Sequence, residues 1–85
     1  SDYGIRGSVD IFGYQGQVYI SAMHRNEAEN ESVRVYLLDG GSCALKEVLS
    51  LPVEGQDNYY AAASLNEGVF SAVFDDGRTV SGSIA

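Results

Sequence analysis

The sequence predicts an all-β protein, a seven-stranded antiparallel β-sandwich, with a small β-barrel as the alternative way of closing the sheets. Three observations carry this expectation. Apolar and polar residues alternate with a period of two along most of the chain, the spacing of a strand with one buried face. The apolar positions are rich in Val, Ile, Tyr and Phe, which pack well on a pleated surface. Glycine-containing turn clusters interrupt the runs at roughly ten-residue intervals, the rhythm of sandwich strands. At 85 residues there is room for one modest core, so residues 1–85 are read as a single domain.

The elements follow in order. Ile5, Val9 and Ile11 alternate with Arg6, Ser8 and Asp10, and the turn spans Gly13 to Gly16. Val18, Ile20 and Ala22 alternate with Tyr19, Ser21 and Met23 in the second run; the first three are assigned inward, which turns Tyr19 and Met23 outward. "NEAENES" has helix formers but no apolar face to bury, so it is a connection. Val33, Val35 and Leu37 form the inward set of the third run, leaving Tyr36 and Leu38 outward before Asp39-Gly40-Gly41. The fourth run places Leu45, Leu49 and Leu51 on one parity, with Glu47 among them. That reads as a bulged edge strand whose inward charge discourages aggregation. "YYAAASL" is too short for an isolated helix. As a strand it turns Tyr59, Ala61, Ala63 and Leu65 inward and Tyr60 outward. The last two runs are Val69–Phe74 and Val80–Ile84. The expected core is Val18, Ile20, Val35, Leu37, Leu65, Phe70, Ala72 and Val80.

The last turn, "FDDGRTV", is a test of register. A two-residue loop at Asp76-Gly77 would set Phe70, Ala72 and Phe74 on the side of Thr79, Ser81 and Ser83. A three-residue loop, Asp75-Asp76-Gly77, instead opposes Phe74 to Arg78, Ala72 to Val80 and Phe70 to Gly82. Only the longer loop keeps the apolar residues on one face, and it needs a left-handed residue where Gly77 stands.

The second half also carries a family likeness. "VRVYLLDGG" followed by "YYAAASLNEGVFSAVFDDGRTVSGSI" resembles the closing strands of small bacterial Ig-like (fibronectin III-like) domains. There a hydrophobic strand ends in Asp-Gly and a Leu-x-x-Gly-x-Tyr/Phe corner precedes the final hairpin; Leu65, Gly68 and Phe70 occupy that corner. The likeness covers about residues 17 to 84. It is similar to small secreted proteins of unassigned function from gut bacteria and to C-terminal sorting domains. Two departures stand out: no basic residue in the last strand, as a sorting domain would have, and no hydroxyl on Phe70 for a tyrosine corner. The resemblance implies an Ig-like strand order, with the second strand beside the fifth, and an extracellular, periplasmic or cell-surface location. An opening Ser-Asp without Met fits a mature form from which a signal peptide has been removed.

Function is constrained mainly by exclusion. A net charge of −7 with five Lys and Arg argues against nucleic acid and anionic membranes as partners. No apolar stretch approaches the roughly 18 residues of a transmembrane segment. One cysteine, Cys43, allows no internal disulfide and reads as a buried or half-buried thiol, and the one histidine, His24, reads as a surface residue at a strand end. No nucleophile elbow, phosphate loop or histidine pair is present.

Two constellations remain. In an Ig-like order the second–third, fourth–fifth and sixth–seventh connections share one end. That gathers Glu27, Glu29, Glu31, Glu54, Asp57, Asp75 and Asp76 near one tip. Glu29, Asp57, Asp75 and Asp76 are the candidate ligands for Ca²⁺, a hard cation that takes six to eight oxygens. Tyr19, Tyr60, Tyr36 and Leu38, all assigned outward, are the candidate partner-binding residues, with Tyr36 and Leu38 near Val69 and Val73. The functional expectation is a non-enzymatic exported or cell-surface module for binding, adhesion or spacing, meeting a protein, a glycan or neighbouring domains. The alternative is a small carboxylate-dependent hydrolase or an inhibitor protein.

Overall fold

A computed structural model of the chain describes residues 2–26, 31–53 and 60–84, and places the side chains of residues 9–24, 31–53 and 60–84. Its described elements are seven strands: β1 (Asp2–Tyr14), β2 (Gln17–Asn26), β3 (Glu31–Leu38), β4 (Leu45–Val53), β5 (Tyr60–Asn66), β6 (Val69–Phe74) and β7 (Thr79–Ser83). They form two antiparallel sheets, one of order β1-β2-β3-β4 and one of order β5-β6-β7. The expected all-β, two-sheet architecture is therefore present, and among the described residues no hydrogen-bonded ladder closes it into a barrel.

The strand order corrects the one that the family likeness implies. Each sheet is a meander of consecutive strands, so β2 lies between β1 and β3 and is not paired with β5. Tight hairpins make this the local solution. Tyr14 pairs Gln17 across Gln15 and Gly16, and Asn66 pairs Val69 across Glu67 and Gly68. All four loop residues have positive φ, as a primed two-residue turn requires.

A single core lies between the sheets. Phe70, Ala72 and Phe74 of β6 point into it beside Val33 and Val35 of β3 and Met23 of β2. Phe12 of β1 meets Phe70 edge-on, with ring centroids 6.0 Å apart at 80°, an arrangement worth about 0.5–1.5 kcal/mol beyond area burial. The sheets also touch along both margins, β1 against β5 and β4 against β7. At the second seam the absence of a side chain matters. A Cβ on Gly82 would stand 3.0 Å from Leu49 Cδ1 and 3.1 Å from Leu51 Cδ2, so glycine lets β7 approach β4.

The predicted inward parity holds for β3, β6 and β7 and fails for β2. Tyr19, Ser21 and Met23 face the core, whereas Val18 is exposed and Ile20 lies on the outer face. Val9 and Ile11 of β1 face out with them, and Phe12 packs inward opposite Tyr19. β2 is apolar on both parities, so alternation alone could not choose. Turning Phe12, Tyr14, Tyr19 and Met23 inward buries the larger side chains, and burial scales with apolar area.

β5 is corrected by a bulge. Tyr60 pairs Phe74 and Ala62 pairs Val73, so Ala61 is the extra residue and Tyr60 turns into the core. β4 is the expected bulged edge strand, with Val48 extra between Leu49 and Glu47. Because of that bulge Glu47 is not inward: it opposes Tyr36 on the outer face and lies 3.7 Å from Arg34. Two smaller readings also reverse. His24 is buried and Cys43 is exposed.

Candidate functional site

The outer face of the four-stranded sheet collects the apolar residues that the core does not use. Cross-strand rows define it. Ile11, Ile20, Tyr36 and Glu47 form one row, and Gly13, Val18, Leu38 and Leu45 form the next. Val9, Ala22, Arg34 and Ser50 form a third on the other flank. Ile11 is 71% exposed, Val9 50%, Leu45 47% and Val18 40%, so four large aliphatic side chains on this face stand in solvent.

The face has a polar corner. Tyr36 Oη lies 2.6 Å from His24 Nε2, and the rings are 5.6 Å apart. Tyr36 sits opposite Ile20, so reaching His24 carries its side chain past Ala22, which is fully buried. Arg34 donates from Nε to Ser32 Oγ at 3.1 Å and points Nη1 toward Glu47. These contacts tie Tyr36 to His24, and Arg34 to Ser32 and Glu47, along the sheet.

Of the four candidate partner-binding residues, the fold brings two to this face. Tyr36 and Leu38 are half-buried on it, with Leu38 between Val18 and Leu45. They are not near Val69 and Val73, which are exposed on the outer side of the three-stranded sheet. Tyr19 and Tyr60 are in the core and take no part. Tyr60 is instead the centre of a buried polar group. Its hydroxyl lies 2.9 Å from Ser21 Oγ and 3.4 Å from the Ser21 carbonyl oxygen, and it hydrogen-bonds the Asp10 carboxylate. Burial pushes the Tyr60 hydroxyl well above the ordinary tyrosine range, and Asp10 adds to the rise.

The residues missed by sequence reasoning are Val9, Ile11, Val18, Ile20 and Leu45. The available signal was that β1 and β2 carry large apolar residues on both parities, which one buried face cannot absorb.

The acidic candidates are divided. Asp75 and Asp76 are exposed in the three-residue loop that the register argument required. Phe74 N–H donates to the Arg78 carbonyl at 2.8 Å, Gly77 N–H to the Phe74 carbonyl at 2.9 Å, and Gly77 has φ +88°. Asp76 Oδ1 accepts from Arg78 N–H at 2.9 Å, so this carboxylate builds the turn. Glu31, on β3, is buried. Glu29 and Asp57, with Glu27 and Glu54, lie outside the described residues. Among the described residues no three His, Cys, Asp or Glu side chains gather as a metal site.

One open groove of about 370 Å³ borders the apolar face, between the β1–β2 and β3–β4 turns. Val18, Leu37, Leu38, Asp39 and Lys46 line it. Asp39 is held below the usual carboxylate range, first by the Ser42 hydroxyl at 2.5 Å and then by the Gly41 N–H at 3.2 Å. Its hydrogen-bonding capacity is thus used largely by its own turn. Comparison with protein-family models, curated proteins and solved structures gives no match for this chain.

Proposed function

We propose that this chain is a non-enzymatic binding or adhesion module, exported or displayed at a cell surface, that meets its partner through the outer face of the four-stranded sheet. The observation that carries this reading is the contiguity of Val9, Ile11, Val18, Ile20, Leu38 and Leu45 on one sheet face. Apolar area removed from water is worth about 25 cal/mol per Å² before the costs of association. An aliphatic face suits a protein or a neighbouring domain better than a glycan, which sugar-binding sites usually meet with aromatic platforms and polar groups. The exported role rests on the resemblance of Leu65, Gly68 and Phe70 to the corner of bacterial Ig-like domains; in this fold those residues sit at the tight β5–β6 hairpin. A calcium-binding tip at Asp75 and Asp76 stays a subsidiary proposal, tested below.

Side-chain oxidative footprinting tests the reading. Ile11, Val18, Ile20 and Leu38 are compared in the isolated chain and in the protein within its native surroundings, with Val69 and Val73 as internal references. Protection confined to the first group is expected. Equal reactivity of both groups in both settings would overturn the proposal.

A further inference from the structure

We propose that the partner of this face is a second copy of the chain, the two four-stranded sheets packing face to face. The inference rests on the reading above, that this face is an interface, and adds its occupant. Two observations select a copy of the same molecule over an unlike partner.

The first is where the charge lies. With a net charge of −7, the chain repels its own copy across most of its surface. Of the described acidic side chains only Glu47 stands on the apolar face. Asp39, Glu67, Asp75 and Asp76 stand in turns, and Asp10 and Glu31 point inward. Among the described residues the face carries one cation and one anion, Arg34 and Glu47, already 3.7 Å apart and compensating each other. Two copies can meet here without opposing unpaired like charges. A cationic partner, by contrast, would find its complement elsewhere on the molecule.

The second is area. β3 is eight residues long; at about 3.4 Å per residue and about 4.8 Å between strands, four strands of that length present roughly 500 Å². Two such faces would together bury roughly 1,000 Å², the lower bound for a specific interface. Flat sheet faces pack on one another about 10 Å apart with strands near −30°, as in the interior of a sandwich. The expected product is a weak, two-fold dimer of four stacked sheets that forms at micromolar concentrations and above.

Sedimentation velocity over about 1 µM to about 1 mM is the test, because a standard-size or smaller interface can fall anywhere in that range of affinity. The wild type is compared with Ile11→Lys/Val18→Lys on the proposed interface. Val69→Lys/Val73→Lys, on the opposite face, makes the same change in charge and is the control. All positions are at least 40% exposed, so each variant is expected to fold, checked by its circular dichroism melt.

Dimerisation of the wild type and of the control, with at least tenfold weaker association of Ile11→Lys/Val18→Lys, supports the proposal. A wild type monomeric throughout overturns the second copy as occupant. The interface reading then survives if the footprinting protection is still seen, and falls if it is not. Dimerisation that all three proteins share equally also overturns the second copy at this face, since the contact would lie elsewhere, and the footprinting again decides the interface reading.

Discussion

The buried polar group around Tyr60 gives the sharpest check on how the strands face. Tyr60→Phe removes one oxygen and leaves Ser21 Oγ, in a fully buried residue, without the partner 2.9 Å away. A buried hydrogen-bonding group left in that state costs about 1–3 kcal/mol. Ser21→Ala should cost less, about 1 kcal/mol, because the Tyr60 hydroxyl keeps Asp10 and the Ser21 carbonyl within reach. The two hydroxyls share one bond, so the double variant should fall short of the sum by about 1 kcal/mol. Urea unfolding followed by circular dichroism reads all four corners of the cycle; thermal melts should move by about 4–8 °C per kcal/mol in a domain of this size. The pH dependence supplies a second arm. Burial raises the Tyr60 pKa in the folded chain, so its neutral form is the one folding favours. Its contribution is fully present below the unfolded value of about 10 and is lost as pH rises above it, at up to about 1.4 kcal/mol per pH unit. Tyr60→Phe should flatten that part of the curve. Additive single costs with unchanged alkaline slopes would refute the buried placement and return Tyr60 to the outer face.

Two further outcomes are expected. Met23→Lys, in a fully buried residue of β2, should lose at least 3 kcal/mol or fail to fold, while Ile20→Lys on the outer face should cost less than about 1 kcal/mol, read by the same urea titration; the reverse order would mean that β2 faces the other way. The proposed calcium tip predicts a melting temperature that rises with millimolar Ca²⁺ relative to sodium at matched ionic strength, a rise that Asp75→Asn with Asp76→Asn removes. Identical curves in calcium and chelator would leave the pair as turn residues only.

Where one parity is clearly the more apolar, the sequence alone decided the outcome. β3, β6 and β7 face as their alternation requires. The Asp75-Asp76-Gly77 loop is where Phe70, Ala72 and Val80 demand it, with Ala72 opposite Val80 and Phe70 opposite Gly82. The edge position and bulge of β4 were legible too, because Glu47 interrupts an apolar parity. Where both parities are apolar, local pattern had nothing to choose between, and the tertiary structure chose. β2 turned Tyr19 and Met23 inward because Phe12 and Tyr14 of the neighbouring strand bring larger apolar area to that side. Ser21 could follow them inward only because Tyr60, 39 residues away, supplies a hydroxyl. Tyr60 itself arrives there through a bulge at Ala61 that no residue type announces. The same choice left Val9, Ile11, Val18 and Ile20 outside and so created the candidate interface. A side chain's facing depends on what stands across the core from it, and that partner is fixed by packing between sheets rather than by its neighbours along the chain.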